Sequence, residues 1–255
     1  MHDTTLTAQR LDAMHRDGFV LLSGMLAPAR IAELREAIDW LTPIGLDYQG
    51  MLDDHYKCVF NRSPFWLQFL DLPEVIELAE AALGPDCHVI GQTAWRSRPG
   101  FIGGDLHADY LVMTLPERLL ADPAFELPMQ VCTAHLYLDD IDADLCPTLV
   151  IPGSHRAGRK PEAGETHWHG RVAEPVLCKA GDVLFFRSDL WHAGSRNRNR
   201  SADRSRYLLQ VHYGRRMVAQ KFSPYLHFSF NPEVLAAASP RQRRLLGEHE
   251  PAEYD

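Results

Sequence analysis

Two imidazoles and one carboxylate can hold a redox-active divalent iron on one face and leave the opposite face open to small ligands. The chain offers such a set in Leu106-His107-Ala108-Asp109-Tyr110-Leu111 and, much later, in Leu190-Trp191-His192-Ala193-Gly194-Ser195. In an extended strand, residues i and i+2 project from the same side, so His107 and Asp109 can reach one ion while Ala108 turns away. His192 must then come from a distant strand that folds beside the first. Three protein ligands leave about three positions on octahedral Fe(II) for a chelating co-substrate and dioxygen. A structural zinc site would instead be closed by its protein ligands. The spacing by itself recurs by chance: His15 and Asp17 repeat it within a helical pattern, where residues two apart do not face each other.

A cation further along completes the chemistry. Arg206 opens the strand Tyr207-Leu208-Leu209-Gln210-Val211-His212-Tyr213, which puts Arg206, Leu208, Gln210 and His212 on one face. An arginine pointing into a barrel needs a buried anion, and the far carboxylate of a dicarboxylic co-substrate would give it a bidentate partner. The competing use is a structural ion pair, and for His192 it is a core histidine satisfied by a backbone carbonyl. Residues 129–138 alternate, with Val131, Thr133, His135 and Tyr137 on one face, so Thr133 and His135 are candidate lining residues. A hydrogen-bonded, half-exposed sheet face would account for them equally. Gln92, Trp95 and Arg96, with Lys57 and Arg62 in the preceding loop, are further candidates for contacting co-substrate or substrate.

Two alternatives compete with this site. His167, His169 and Glu174 have the spacing of a cupin metal motif that His192 could complete, leaving His107 and Asp109 as bystanders; residues 159–173, however, read as a polar Gly/Pro/Glu-rich loop. A non-enzymatic jelly-roll binding module is the other.

The elements that must position these groups change character near residue 86. Before it the pattern is helical. A helix over 8–16 capped by Thr7 leads to the strand Phe19–Leu22, and Pro28 starts a helix to about Leu41 with Ile31, Leu34, Ile38 and Leu41 inward. A loop over 42–62 follows, then helical runs from Ser63-Pro64 and from Pro73 to Gly84. After it, segments 87–96, 105–112, 129–138, 147–151, 175–178, 182–187 and 206–213 read as strands between Gly, Pro and Asp turns. The expected fold is mainly β with flanking helices, with a jelly-roll or double-stranded β-helix core of the cupin-like kind. We expect one domain over 1–255: a helical scaffold mostly in 1–85, the β-helix core in 86–214, and C-terminal helices in 231–247 divided by Pro240. The stretch Tyr110 to Pro128 is a candidate lid.

Composition excludes some partners. With 26 basic and 34 acidic residues, the net charge of −8 argues against nucleic acid or an anionic membrane. Five scattered cysteines, none in a Cys-x-x-Cys pair, read as thiols in a reducing cytosol, and no run reaches transmembrane length. The expectation is a soluble cytoplasmic protein acting on a small molecule.

The order His107-x-Asp109, Pro152-Gly153-Ser154-His155, Trp191-His192-Ala193-Gly194-Ser195, Asn199-x-Ser201 and Arg206 resembles the phytanoyl-CoA dioxygenase family of Fe(II)/2-oxoglutarate oxygenases, over about residues 10–214. The resemblance implies a double-stranded β-helix in which Fe(II), 2-oxoglutarate and dioxygen bring about hydrogen abstraction from a substrate, with succinate and CO2 released. It also implies His107, Asp109 and His192 as metal ligands, and Arg206 on the 2-oxoglutarate C5 carboxylate with Ser195 or Ser201 assisting. The chain departs from many relatives at Cys146-Pro147-Thr148, where they carry glycine. It keeps Asp109, which resembles a hydroxylase or oxidative cyclase rather than a halogenase. An acyl-CoA substrate would call for a basic entrance, which Lys57, Arg62, Arg96 and Arg98 could supply. The stretches Lys57–Arg62, Gly91–Arg96 and Gln210–Arg216 instead resemble bacterial secondary-metabolite members, among them the oxygenases of orthosomycin antibiotic biosynthesis. That likeness implies an oligosaccharide or aminoglycoside-like substrate in a polar, aromatic-lined cleft.

Overall fold

A computed structural model describes residues 4–50, 52–111, 114–120, 122, 125–199, 204–222 and 228–251. The first third supplies helices α1 (Thr4–Arg16), α2 (Pro28–Asp39) and α3 (Pro73–Leu83), with strands β1 (Phe19–Leu22), β2 (Tyr48–Gln49) and β3 (Asp53–Lys57) between them. Pro28 and Pro73 open their helices where a missing N–H is harmless. Ile31, Leu34 and Ile38 then recur at helical spacing as the buried stripe of α2, and Val75, Ile76, Ala79 and Leu83 as that of α3. Beyond them come β4 (His88–Ser97), a short α4 (Glu117–Leu120), β5 (Val131–Tyr137), β6 (Thr148–Val150), β7 (His167–Trp168), β8 (Arg171–Val172) and β9 (Glu174–Pro175). The chain continues through β10 (Val183–Arg187), β11 (His192–Gly194) and β12 (Arg206–Gly214) to helices α5 (Pro232–Ala237) and α6 (Pro240–Leu245).

The strands form a jelly-roll core with antiparallel pairing. A large sheet runs in the order β1-β10-β5-β12-β4-β3-β2, and a small sheet runs β11-β6-β9. Period two then sorts the side chains. Cys132, Ala134 and Leu136 of β5 and Leu209, Val211 and Tyr213 of β12 face the helices in the larger apolar cluster. Tyr137, Leu184, Phe186 and Leu208 face the small sheet in a second cluster. The second face is the inside of the barrel, and it carries the polar residues of interest.

Several expected boundaries move. Helix α1 begins at Thr4, so Thr7 lies within it rather than capping it, and α2 stops at Asp39, short of Leu41. Residues 42–62 hold β2 and β3, not only loop: Asp53-Asp54-His55-Tyr56-Lys57 has no apolar alternation and becomes a strand by pairing with β4 from Asp53↔Ser97 to Lys57↔Thr93. Of the strand expected at 105–112, the described residues 105–111 form none; among them only His107 makes a bridge, to His192. The strand expected at 175–178 is shortened and shifted to β9. Within 159–173 lies the hairpin β7–β8, turning at His169 and Gly170, both at positive φ. The stretch Tyr110 to Pro128 holds α4, and its residues 112–113, 121 and 123–124 lie outside the described residues. The five cysteines are free thiols, three of them buried.

The turn Pro152-Gly153-Ser154-His155 braces the small sheet against α1. The Gly153 N–H donates to the Asp17 carbonyl at 2.8 Å, the Ser154 hydroxyl accepts from the Trp191 N–H at 2.9 Å, and His155 Nε2 bonds the His15 carbonyl at 3.1 Å. Burial, reinforced by the nearby Arg187 charge, pushes the His155 pKa down to about 3. A histidine neutral when folded and titrating normally when unfolded contributes its full stability above about pH 6.5, and loses it as the pH falls toward 3. We expect the metal-free protein to lose about 2 kcal/mol between pH 7 and pH 5 from this group. Urea midpoints across that range should show it, and His155→Gln should flatten the slope by about one proton.

Candidate metal centre and its cavity

The residues 103–110 and 188–194 run side by side at the barrel rim. Gly104 N–H donates to the Gly194 carbonyl at 3.0 Å, His107 and His192 exchange both backbone bonds at 2.9 Å, and Tyr110 N–H donates to the Ser188 carbonyl at 3.0 Å. These contacts recur every third residue, which a regular ladder of period two cannot do, so the segment bends without forming a strand. The bend still brings His107 and Asp109 to one side. Their closest approach is His107 Nε2 to Asp109 Oδ1 at 3.5 Å, and His192 Nε2 stands 3.6 Å from Asp109 Oδ2.

The donor chemistry fits a divalent metal. Donors at about 2.1 Å from an ion and at right angles stand about 3 Å apart, and these three groups offer atoms all within 4.8 Å of one another. Each histidine donates its Nδ1 proton to a carbonyl, His107 to Asp105 and His192 to Leu190, both at 2.8 Å, so each Nε2 keeps its lone pair toward the shared point. In the metal-free protein burial raises the pKa of Asp109, but His107 and His192, which donate to it through Nε2 when protonated, outweigh that and hold the carboxyl well below the usual range. Asp109 in turn raises the pKa of His107. Among the described residues this is the one metal-capable group of three or more such side chains. His167, His169 and Glu174 are exposed on or beside the β7–β8 hairpin and do not join it. The cupin alternative therefore has no geometric support.

Gly103 makes the approach of the two segments possible. A Cβ there would lie 2.6 Å from the Gly194 carbonyl oxygen, and its φ of +80° disfavours any side chain. Gly103→Ala should push the 103–110 segment off its neighbour and weaken metal binding by about 10–100-fold, while urea stability changes far less; metal titration of both proteins checks this.

The donors open into a cavity of about 630 Å³. Arg206 lies in its wall, 4% exposed, donating to the Cys146 carbonyl at 2.6 Å and the Ser97 hydroxyl at 3.2 Å, while its Nε makes no hydrogen bond. No carboxylate of the described residues pairs with it, so the structural ion pair does not account for this cation. Beside it runs a chain of neutral hydrogen bonds: Trp95 Nε1 donates to Gln210 Oε1 at 3.0 Å, the Gln210 amide meets His135 Nε2 at 2.9 Å, and Tyr137 donates to Thr148 at 2.7 Å. Burial, with the His192 and Arg206 charges, holds the His135 pKa well below its usual value, so this wall stays uncharged.

The expected lining residues divide. Lys57, His135 and Trp95 line the cavity. Gln92 touches it, but its amide turns to the helical side and donates to the Trp66 carbonyl at 3.4 Å. Thr133 does not line it; its hydroxyl bonds Ser188 at 2.7 Å and His212 Nδ1 at 2.9 Å, holding the His212 ring in the wall. Ser195 also stands outside the lining, with a buried hydroxyl that makes no hydrogen bond, and Ser201 lies outside the described residues. Arg62 is tied to Asp47 at 2.8 Å, Arg96 to Asp39 at 3.3 Å, and Arg98 to Asp54. Three of the four cations expected at a basic entrance are thus already paired. Thr148, His55 and Lys221 line the cavity unforeseen, and so does Gln210, which was placed on the Arg206 face without being named as a lining residue. The shared strand face with Arg206 pointed to Gln210, whereas nothing local marked Lys221.

A family model described as phytanoyl-CoA dioxygenase matches residues 14–206. An uncharacterised protein of Mycobacterium tuberculosis is 27% identical, over 77% of this chain and 72% of its own. The ectoine dioxygenase of Sphingopyxis alaskensis is 23% identical with the same coverage. HygX of Streptomyces hygroscopicus, solved with nickel, 2-oxoglutarate and hygromycin B bound, is similar in fold, with a TM-score of 0.67, 16% identity, and 83% of this chain and 88% of that one covered.

Proposed function

Because the chain belongs to the phytanoyl-CoA dioxygenase family and is an Fe(II)/2-oxoglutarate-dependent oxygenase, we propose that His107, Asp109 and His192 hold the iron and that Arg206 binds the C5 carboxylate of 2-oxoglutarate. The observation that carries this reading is the convergence of three metal donors in a cavity whose wall holds a buried guanidinium with no carboxylate partner among the described residues. Iron and 2-oxoglutarate, when bound, supply the oxidising chemistry: dioxygen is consumed, the keto acid is converted to succinate and CO2, and hydrogen is removed from the substrate.

The chain's own residues set the conditions for it. The backbone carbonyls of Asp105 and Leu190 fix the histidine tautomers, and Asp109 supplies the negative charge that favours a divalent ion. The Arg206 fork offers directional N–H donors to a carboxylate, and its burial strengthens that pairing relative to water. The neutral Trp95–Gln210–His135 chain orients the co-substrate without competing charge.

The substrate is a small-molecule natural product that is hydroxylated or oxidatively ring-closed, with a saccharide ring as the leading candidate. Support comes from an aromatic part of the site, where Trp95 packs on His55 and His55 on Tyr48, with Leu46 also in the cavity lining, a surface suited to the flat face of a ring. Three neutralised arginines leave little to clamp the phosphates of an acyl-CoA. No described helix is long and apolar enough to cross a membrane, and we place this activity in one cytoplasmic catalytic domain spanning 1–255. Anaerobic addition of Fe(II) and 2-oxoglutarate should produce a weak visible charge-transfer band, and air should then release succinate. A protein that binds neither ligand would refute the reading.

A further inference from the structure

Charge is unevenly provided around the cavity. Among the described residues that line it, Asp109 is the one carboxylate, facing the cations Lys57, Arg206 and Lys221. On the reading proposed above, Asp109 and Arg206 balance each other, and a divalent metal and the 2-oxoglutarate dianion cancel. Lys57 and Lys221 remain as positive charges without counter-ions. Neither has a carboxylate within ion-pair distance among the described residues, whereas Arg62, Arg96 and Arg98 nearby each have one.

Both lysines line the cavity from main-chain positions fixed by backbone hydrogen bonds, and both side chains stay open to solvent. Lys57 ends β3 opposite Thr93 of β4, and its N–H donates to Asp47 at 2.8 Å. The Lys221 N–H donates to the Ile90 carbonyl at 2.8 Å, and the Gln220 amide beside it donates to the Val89 carbonyl at 2.9 Å. On the other side, Phe222 is fully buried among Phe60, Phe228 and Phe230. The Lys221 stem passes over Gly91, where even a Cβ would come within 3.5 Å of its Cδ. Its charge is thereby directed into the cavity, close enough to interact with Lys57 and Asp109. Desolvation lowers the Lys221 pKa and the Asp109 charge opposes it, while the side chain still reaches solvent.

We propose that Lys57 and Lys221 form an anion-selecting subsite, so that this oxygenase takes a ring-containing substrate bearing a carboxylate or phosphate group and rejects polycationic ones. The subsite argues against the aminoglycoside-like substrate that the sequence resemblance implies. It needs one anionic group, not the several phosphates of coenzyme A. The ring lies against Trp95 and His55 while the anion reaches the lysines.

The test uses four small probes on the full chain loaded with Ni(II) and saturating 2-oxoglutarate: benzoate, phenyl phosphate, benzyl alcohol and benzylamine. Calorimetric titration should show the two anions binding at least about tenfold more tightly than the alcohol, and benzylamine most weakly. Lys57→Gln and Lys221→Gln should each reduce that preference several-fold, and Lys221→Arg should restore it, which a merely structural role would not produce. Benzoate against phenyl phosphate decides between carboxylate and phosphate. The proposal is overturned if benzylamine binds as well as benzoate, or if the glutamine variants keep the anion preference. It is also overturned if Lys221→Gln instead weakens 2-oxoglutarate itself, because the lysine would then serve the co-substrate. The same titrations on the metal-free chain score the preference separately, so a protein that fails to take up Ni(II) and 2-oxoglutarate refutes the functional reading without obscuring the subsite result.

Discussion

Replacing Arg206 with methionine should raise the Kd for 2-oxoglutarate by at least about 30-fold, because losing one partner of a buried charge pair costs about 2–5 kcal/mol. The metal-free protein should hardly notice. Its Arg206 has no carboxylate partner among the described residues, so relief of an uncompensated buried charge offsets the hydrogen bonds lost at the Cys146 carbonyl and Ser97 hydroxyl. This contrast is the diagnostic one. A structural arginine would lower the urea midpoint when removed, while a ligand-binding arginine changes stability only when ligand is present. Wild-type protein at a hundredfold excess over Kd gains about 2.7 kcal/mol from 2-oxoglutarate, and Arg206→Met should gain at most about 0.9 kcal/mol at that concentration. Equal ligand-linked stabilisation in both proteins would remove Arg206 from the site.

Asp109→Ala should abolish stoichiometric Fe(II) binding, with affinity falling by more than about 100-fold, since even residues that only orient a ligand cost about 10–100-fold. The expected loss rests on charge as well as on ligand number. Asp109 is the one carboxylate lining the cavity among the described residues, and without it a divalent ion would sit between two neutral rings and three cations. Succinate release should fall with metal content. His169→Ala is the matched control: it lies at an exposed hairpin turn outside the donor group and should leave bound iron unchanged. If iron instead followed His169, the cupin arrangement would be right after all.

Much of the fold was legible because alternation is a local property. The faces of β5 and β12 follow from period two, so Arg206, Leu208, Gln210 and His212 fall together in structure as they do on paper. Strand β3 was not legible. Asp53-Asp54-His55-Tyr56-Lys57 has no apolar period and owes its conformation to hydrogen bonds with β4 and to the pairs Asp53–His55 and Asp54–Arg98, partners remote or invisible in the pattern. The strand expected at 105–112 fails the other way over its described residues 105–111. Its spacing suits a strand, yet contacts at every third residue and the close approach at Gly103 bend it.

Residue type and order were enough to point to the chemistry, since two histidines, a carboxylate and a later arginine are the groups such a site needs, but only the fold brings His107, Asp109 and His192 within reach of one ion. Which cations stay free was decided only in three dimensions. Lys57, Arg62, Arg96 and Arg98 looked alike as a string, but three of them meet carboxylates brought in from elsewhere in the fold, while Lys57 and the unforeseen Lys221 line the cavity with no carboxylate partner among the described residues. Charge pairing depends on separation in space, and separation in space is a property of the folded chain.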